Sequence, residues 1–325
     1  MSLILGVHLP NRLFLAADTR LTVIKDGEKT YRDNFWKVAD FGPQITCVVA
    51  GDAYLAGFIL RKIAGSGIKH DNINQFRPWL EANLPTFIDA YLGEGGTYKK
   101  VAMIFGGYDR TAKKKLNSSA LGDAMSKPFV GKEGVVMDVA TNRMVIDGLM
   151  REFARRGMEQ IPKDAEFEID YPDSSVFAVE IELPNAPAFR TIPCYGVVLY
   201  AQKNLREEHA TMDMVQKLET QTDTRQKGED AVVMWSLNLV AMIDEMISKY
   251  SLDGVGGHKL TVLLTPEGNV IPMTTVKKMN KETGKIATVS DICVQDDAFC
   301  VRDDNGTVSP FEQVMNYGLQ ADAEI

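Results

Sequence analysis

Short apolar runs open the chain. Leu3-Ile4-Leu5-Gly6-Val7 leads to Pro10-Asn11, the apolar character resumes through Ala16-Ala17, and Thr46-Cys47-Val48-Val49-Ala50 follows a more polar stretch. Runs of this length, rich in Val, Ile, Leu and Phe and bounded by turn residues, predict strands over 2–9, 12–19 and 44–50. The period then changes. Leu55, Phe58, Ile59 and Ile63 fall on one helical face and Gly65-Ser66-Gly67 stops the run, which predicts a helix over 52–64. A second helix is expected over 73–92, with Pro78 and Pro85 near its start or kinking it. Another strand, 100–107, ends at Gly106-Gly107-Tyr108-Asp109. Strands, then two helices, then strands suit two packed sheets covered by layers of helix.

The pattern is less regular from about 110 to 228. Asn142 to Arg156 reads as a helix, Ser175 to Leu183 and Cys194 to Gln202 as strands, and Leu205 to Leu218 as a charged helix, with a loop at Pro184-Asn185-Ala186-Pro187. This stretch reads as an insertion or elaboration, either shaping access to a site or a subunit contact, or decorating the surface. Asp230 to Tyr250 is a long amphipathic helix with Val233, Leu237, Val240, Ile243 and Ile247 among its apolar positions. A strand follows at Leu260 to Leu264. The segment of about 275–325, with Asp296-Asp297, Asp303-Asp304 and Asn305-Gly306, reads as a C-terminal extension of short strands, acidic turns and a solvated tail.

The chemistry lies near the start. Ser2 stands behind a methionine that processing can remove. A strand rises by about 3.3 Å per residue and paired strands lie about 4.8 Å apart, so a hairpin centred near Pro10-Asn11 returns Asp18-Thr19-Arg20 to the side of Ser2. A hydroxyl needs a base, and an N-terminal amine, with a pKa of about 7.7–8.0, is an available one. Lys37, held by Asp18, would favour the neutral amine by like-charge repulsion, and Arg20 could fix that carboxylate by a bidentate contact. The Gly51 N–H, at the start of the helix through Asp52-Ala53-Tyr54-Leu55, is placed to receive an oxyanion. Each residue alone says little; their order and spacing carry the inference.

These residues resemble the start of a proteasome β subunit, and more broadly of the N-terminal-nucleophile hydrolases of that type. In that family the first processed residue is the nucleophile, an acid-x-basic triplet begins sixteen residues later, and a lysine before a valine and an Ala-Gly turn follow. Ser2, Asp18-Thr19-Arg20, Lys37-Val38 and Ala50-Gly51 match that order, and Phe105-Gly106-Gly107-Tyr108-Asp109 resembles the end of a central strand in these subunits. The segment from Arg20 to Lys37 is longer than usual, with Lys25-Asp26-Gly27-Glu28 as an enlarged turn. The family also carries an aspartate and, three residues on, a serine. Asp253 matches the aspartate, but Gly256 stands where the serine would be. The resemblance covers 2–109 well and 229–271 weakly.

The resemblance implies an α+β, four-layer αββα sandwich built as a single domain over 1–325, with Ser2, Asp18, Arg20, Lys37, Gly51 and Asp253 as site residues. It implies a peptide or protein substrate and a closed homo-oligomeric ring, with room for an ATPase partner. Three readings stand: a peptidase or amidohydrolase acting through Ser2, a catalytically silent structural or binding subunit, and a transferase or ligase that passes the acyl group to an amine.

Composition narrows the rest. Length alone, at 325 residues, suggests about two domains, and 45% hydrophobic residues allow a substantial core. A net charge of -8, a pI near 5.2 and no long basic run argue against a nucleic-acid partner. Cys47, Cys194, Cys293 and Cys300 show no metal spacing, and His8, His70, His209 and His258 form no metal motif. No phosphate-binding loop is present, and no cofactor is expected. The short apolar run before His8 does not read as a signal peptide, and no run is long enough to span a membrane, so a reduced, cytoplasmic protein is expected.

Overall fold

A computed structural model of the chain describes residues 2–9, 12–25, 28–42, 44–67, 72–97, 100–117, 155, 166–170, 172–201, 204–209, 240, 255–266, 268–270, 277–279, 286–288, 292–296, 298–302 and 307–316. The chain opens with β1 (Ile4–Leu9) and β2 (Arg12–Asp18), paired so that Ile4 faces Ala17 and Leu9 faces Arg12. A second hairpin, β3 (Leu21–Lys25) and β4 (Glu28–Arg32), has its second strand exposed throughout. Then come β5 (Phe35–Trp36), β6 (Val38–Asp40) and β7 (Ile45–Gly51), followed by α1 (Ala53–Ala64), α2 (Ile73–Gly93) and β8 (Lys100–Asp109). The middle of the chain supplies β9 (Lys113–Asn117), β10 (Glu166–Asp170), β11 (Asp173–Glu182), β12 (Ala188–Ile192), β13 (Gly196–Ala201) and β14 (Asn204–His209). Beyond it lie β15 (Lys259–Thr265), β16 (Gly268–Val270), β17 (Lys277–Met279), β18 (Ile286–Thr288), β19 (Ile292–Gln295), β20 (Ala298–Arg302), β21 (Val308–Pro310) and β22 (Glu312–Gln313).

Two antiparallel sheets form the body, one of six strands ordered β14-β13-β1-β2-β15-β16 and one of five ordered β12-β11-β8-β7-β6. Between them, Ile4, Leu13 and Leu15 of the first meet Val48, Ile104 and Val176 of the second. Gly6 permits this approach: a β-carbon there would lie 2.8 Å from Ile104 Cγ2. The other face of the five-stranded sheet packs Cys47, Val49, Phe105 and Phe177 against Leu55, Ile59, Phe76 and Leu80 of the two helices. Strands β7 and β8 are therefore buried on both faces, which explains why they read as continuous apolar runs. Phe105 stacks on Phe177 with centroids 5.0 Å apart, a contact worth about 0.5–1.5 kcal/mol beyond its buried area. Helix α2 starts at Asn72, whose side chain accepts from the N–H groups of Asn74 and Gln75. Pro78 and Pro85 both lie inside it, each removing one i→i−4 hydrogen bond.

The four-layer αββα sandwich expected from the sequence does not form. The described residues are mainly β, with several small two- and three-stranded sheets beside the two main ones, and α1 and α2 both lie on the five-stranded sheet. Neither covers the six-stranded sheet. One cause is visible at Leu205, where the expected charged helix begins instead as β14, the edge of the six-stranded sheet paired to β13. Charged residues are what an edge strand carries to block further pairing, and the sequence Leu205-Arg206-Glu207-Glu208-His209 imitates the polar side of a helix. The helices expected over 142–156 and 230–250 lie outside the described residues except for Arg155 and Val240.

Two further segments join the body of the fold. Within the expected elaboration of 110–228, β11 pairs along the whole of β8 and β13 pairs with β1, so residues 173–201 belong to both main sheets. Near the C-terminus, Phe299 stacks on Trp36 at 4.5 Å, Phe311 meets the same ring edge-on, and Val314 is fully buried. Phe299 and residues 311–316 thus dock on β5 and α1, with Arg61 Nη1 donating to the Met315 carbonyl at 2.8 Å. Among the described residues, no helix is long and apolar enough to cross a membrane.

Candidate active site

The β1–β2 register sets Leu3 opposite Asp18, the last residue of β2. Asp18 N–H donates to the Leu3 carbonyl at 3.1 Å, and Leu3 N–H donates to Asp18 Oδ1 at 2.8 Å. Ser2, half-buried, is the next residue out. Lys37 occupies the break between β5 and β6, where its carbonyl accepts from Val49 N–H on β7 at 3.0 Å. Its side chain is 2% exposed and reaches across the end of the β1–β2 hairpin. There Nζ meets Asp18 Oδ1 at 2.7 Å, the Arg20 carbonyl at 2.8 Å and Ser2 Oγ at 3.1 Å. Three of the predicted site residues, Ser2, Asp18 and Lys37, thereby converge on one nitrogen, and Arg20 joins them through its backbone.

Burial dominates the electrostatics of this centre. It pulls Lys37 below the ordinary lysine range even though the Asp18 carboxylate beside it acts in the opposite direction. A neutral amine has two N–H groups and one lone pair. As an ammonium, Lys37 donates one N–H each to Asp18 Oδ1, the Arg20 carbonyl and Ser2 Oγ; once it gives up a proton, the two oxygens that only accept keep the remaining N–H groups and the lone pair falls to the Ser2 hydroxyl.

Arg20 departs from expectation. Its guanidinium does not clamp Asp18; Nε and Nη2 hold the two oxygens of Asp33 at 2.7 and 2.8 Å. From Arg20, Asp18 receives the backbone N–H, at 3.3 Å. The fork raises the Arg20 pKa and lowers that of Asp33. Tyr31 lies beneath the guanidinium, 4.9 Å from ring centroid to Cζ. Thr19 ties the same region together. Its hydroxyl donates to the Asp33 carbonyl at 2.6 Å and accepts from His258 N–H at 2.7 Å. Asp33 and Thr19 were not singled out from sequence, although a signal for Asp33 exists: a hairpin centred on Asp26-Gly27 places residue 20 opposite residue 33.

Gly51 ends β7 two residues beyond Val49, about 6–7 Å along the strand from the point where β7 meets Lys37. Its φ of 102° belongs to glycine, and a β-carbon there would lie 2.6 Å from the Lys100 carbonyl. Asp52, the N-cap of α1, is bound to Lys100 through both its N–H and its carboxylate. Asp253 lies outside the described residues, but the segment after it is in place. Gly256 packs on Arg20 so closely that a β-carbon would meet the guanidinium carbon, and Gly257, with φ 75°, leaves room for Thr19 Oγ1. Tyr108, from the Gly-Gly-Tyr-Asp turn, is buried and donates to the Leu264 carbonyl at 3.0 Å, linking the two sheets. Among the described residues, no group of three or more His, Cys, Asp or Glu side chains is placed to hold a metal ion.

No protein-family model matches the sequence, and no curated protein is significantly similar to it.

Proposed function

We propose that the chain is an N-terminal-nucleophile hydrolase related to proteasome β subunits, cleaving peptide or amide bonds through Ser2 once Met1 is removed. The observation that carries this reading is the contact of Lys37 Nζ with Ser2 Oγ at 3.1 Å, in a setting where its other two neighbours can only accept. As Ser2 Oγ attacks the substrate carbonyl carbon, its proton passes to Lys37 or to the freed Ser2 amine. The proton then goes to the departing amine as the carbon–nitrogen bond breaks, leaving an ester on Ser2. Water, deprotonated by the same base, hydrolyses the ester and restores the hydroxyl. Asp18 and the Arg20 carbonyl orient Lys37, and the Gly51 N–H is the oxyanion donor in this scheme. On the same reading the subunits close into a homo-oligomeric ring.

The test combines intact mass with labelling by a β-lactone or epoxyketone probe. The expected result is loss of Met1, labelling at residue 2, no labelling of Ser2→Ala, and a fall of about 10²–10⁴ in labelling rate for Lys37→Met. Undiminished labelling of Ser2→Ala would point to another nucleophile. A silent subunit of the same kind is the second reading, favoured by Gly256, where the family carries serine and where a β-carbon would displace the Arg20 guanidinium from its present position on Asp33. Retention of Met1 together with absence of labelling selects it. Transfer is distinguished from hydrolysis by the appearance of an added amine in the product.

A further inference from the structure

We propose that Cys293 and Cys300 form a reversible disulfide site on the three-stranded sheet that covers Trp36. The two residues face one another directly across β19 and β20, in a register that also pairs Ile292 with Val301 and Gln295 with Ala298. Directly opposed residues of an antiparallel pair have Cα atoms about 4.5–5.5 Å apart, within the range of about 4.4–6.8 Å that disulfides bridge. Their β-carbons point to the same side and start about 4.5–5.5 Å apart, so bond formation draws them together by about an ångström. Strand β19 is the edge of its sheet, ordered β19-β20-β21, which lets it make that adjustment.

Accessibility favours a stepwise reaction. Both thiols are free, Cys293 half-buried and Cys300 buried behind it with its thiol directed to the Ala298 carbonyl. The other two cysteines differ. Cys47 is sealed in β7, where burial holds its thiol well above the ordinary value, and Cys194 is exposed in the turn before β13, outside the strands. A low-molecular-weight disulfide such as oxidised glutathione is the oxidant. The Cys293 thiolate attacks one of its sulfurs, forming a mixed disulfide and releasing one small thiolate. The Cys300 thiolate then attacks the Cys293 sulfur, forming the Cys293–Cys300 bond and expelling the second. The protein gives up two electrons and two protons, which appear in the two small thiols.

The bond would act on a defined contact. Phe299, the neighbour of Cys300 on β20, stacks on Trp36, and Trp36 precedes Lys37. Tying β19 to β20 stiffens the sheet held against that ring.

The test treats the folded full-length protein with oxidised glutathione, alkylates the remaining thiols, and measures intact mass, peptide connectivity and Tm. The expected result is a crosslinked peptide joining Cys293 to Cys300 with loss of two hydrogens, and a glutathione adduct confined to Cys194. Tm rises, and dithiothreitol returns it to the starting value. Cys293→Ser is expected to show neither the crosslink nor the rise. Alkylation of both cysteines after oxidation, separate glutathione adducts on each, or a crosslink from either to Cys194 would overturn the proposal. Because crosslink and reversal are read on the unaltered chain, a variant that fails to fold leaves the test intact.

Discussion

Lys37 shows how far one side chain can depend on its neighbours. An ammonium with no water around it survives only if its partners replace hydration, and Asp18, the Arg20 carbonyl and Ser2 do this with three contacts. Removing one member therefore costs more than removing the pair. Asp18→Asn is expected to lower stability by about 3–5 kcal/mol, because it leaves the lysine buried without its carboxylate. Adding Lys37→Met should recover much of that loss, since both charges are then gone and the methionine fills similar space. Urea denaturation of the two single variants and the double variant checks this; additive losses would mean that the pair is not coupled. The lowered Lys37 pKa gives a second sign. Between its folded value and the ordinary lysine value, the unfolded chain binds the proton that the folded chain has lost, so stability rises with pH across that window.

At the scale of elements, the legible parts were those whose burial is local. Strands β1, β2, β7 and β8 and helix α1 were readable because each carries its own apolar run or stripe, and the Pro10-Asn11 hairpin was enough to bring Asp18 to Ser2 and expect Lys37 nearby. What was not readable depends on pairing across long separations. Nothing in Asp173–Glu182 announces that it will pair with β8 along ten positions, nor does a run such as 205–209 declare itself an edge strand. The partner of Arg20 is a local case instead: β3 and β4 pair Leu21 with Arg32, and the Asp26-Gly27 turn, read as a hairpin centre, would have set Asp33 beside Arg20. Gly51 belongs to this scale too. It joins β7 to α1 in a left-handed conformation against the Lys100 carbonyl. Gly51→Ala should destabilise the protein by at least about 1 kcal/mol, through the conformation and the 2.6 Å approach together. Chemical denaturation measures the loss; an unchanged midpoint would mean that the strand end relaxes without cost.

Across the whole molecule, the two main sheets are joined at the end away from Ser2 by a buried histidine. His8 of β1 is 7% exposed, with Nδ1 at 2.8 Å from the Ile192 carbonyl and Nε2 at 3.1 Å from Ser174 Oγ on β11. Since a carbonyl only accepts, Nδ1 carries the proton and Nε2 accepts from the serine hydroxyl. Burial lowers the His8 pKa, against the pull of the Ile192 carbonyl, Asp173 and Ser174. As pH falls below about 6.5, the unfolded chain gains a proton that the folded chain does not yet take, so stability falls with pH by at most about 1.4 kcal/mol per unit. Asp33 adds to the same trend lower down: its contribution is complete above the ordinary aspartate value and is lost as pH falls through its lowered folded value. The two are separable. His8→Asn keeps a donor for the Ile192 carbonyl but does not titrate, so it should flatten the slope between pH 6.5 and the lower folded value while leaving the more acidic loss in place. Denaturant midpoints measured across that range for both proteins decide it, and parallel slopes would place the acid sensitivity elsewhere than at the link between the sheets.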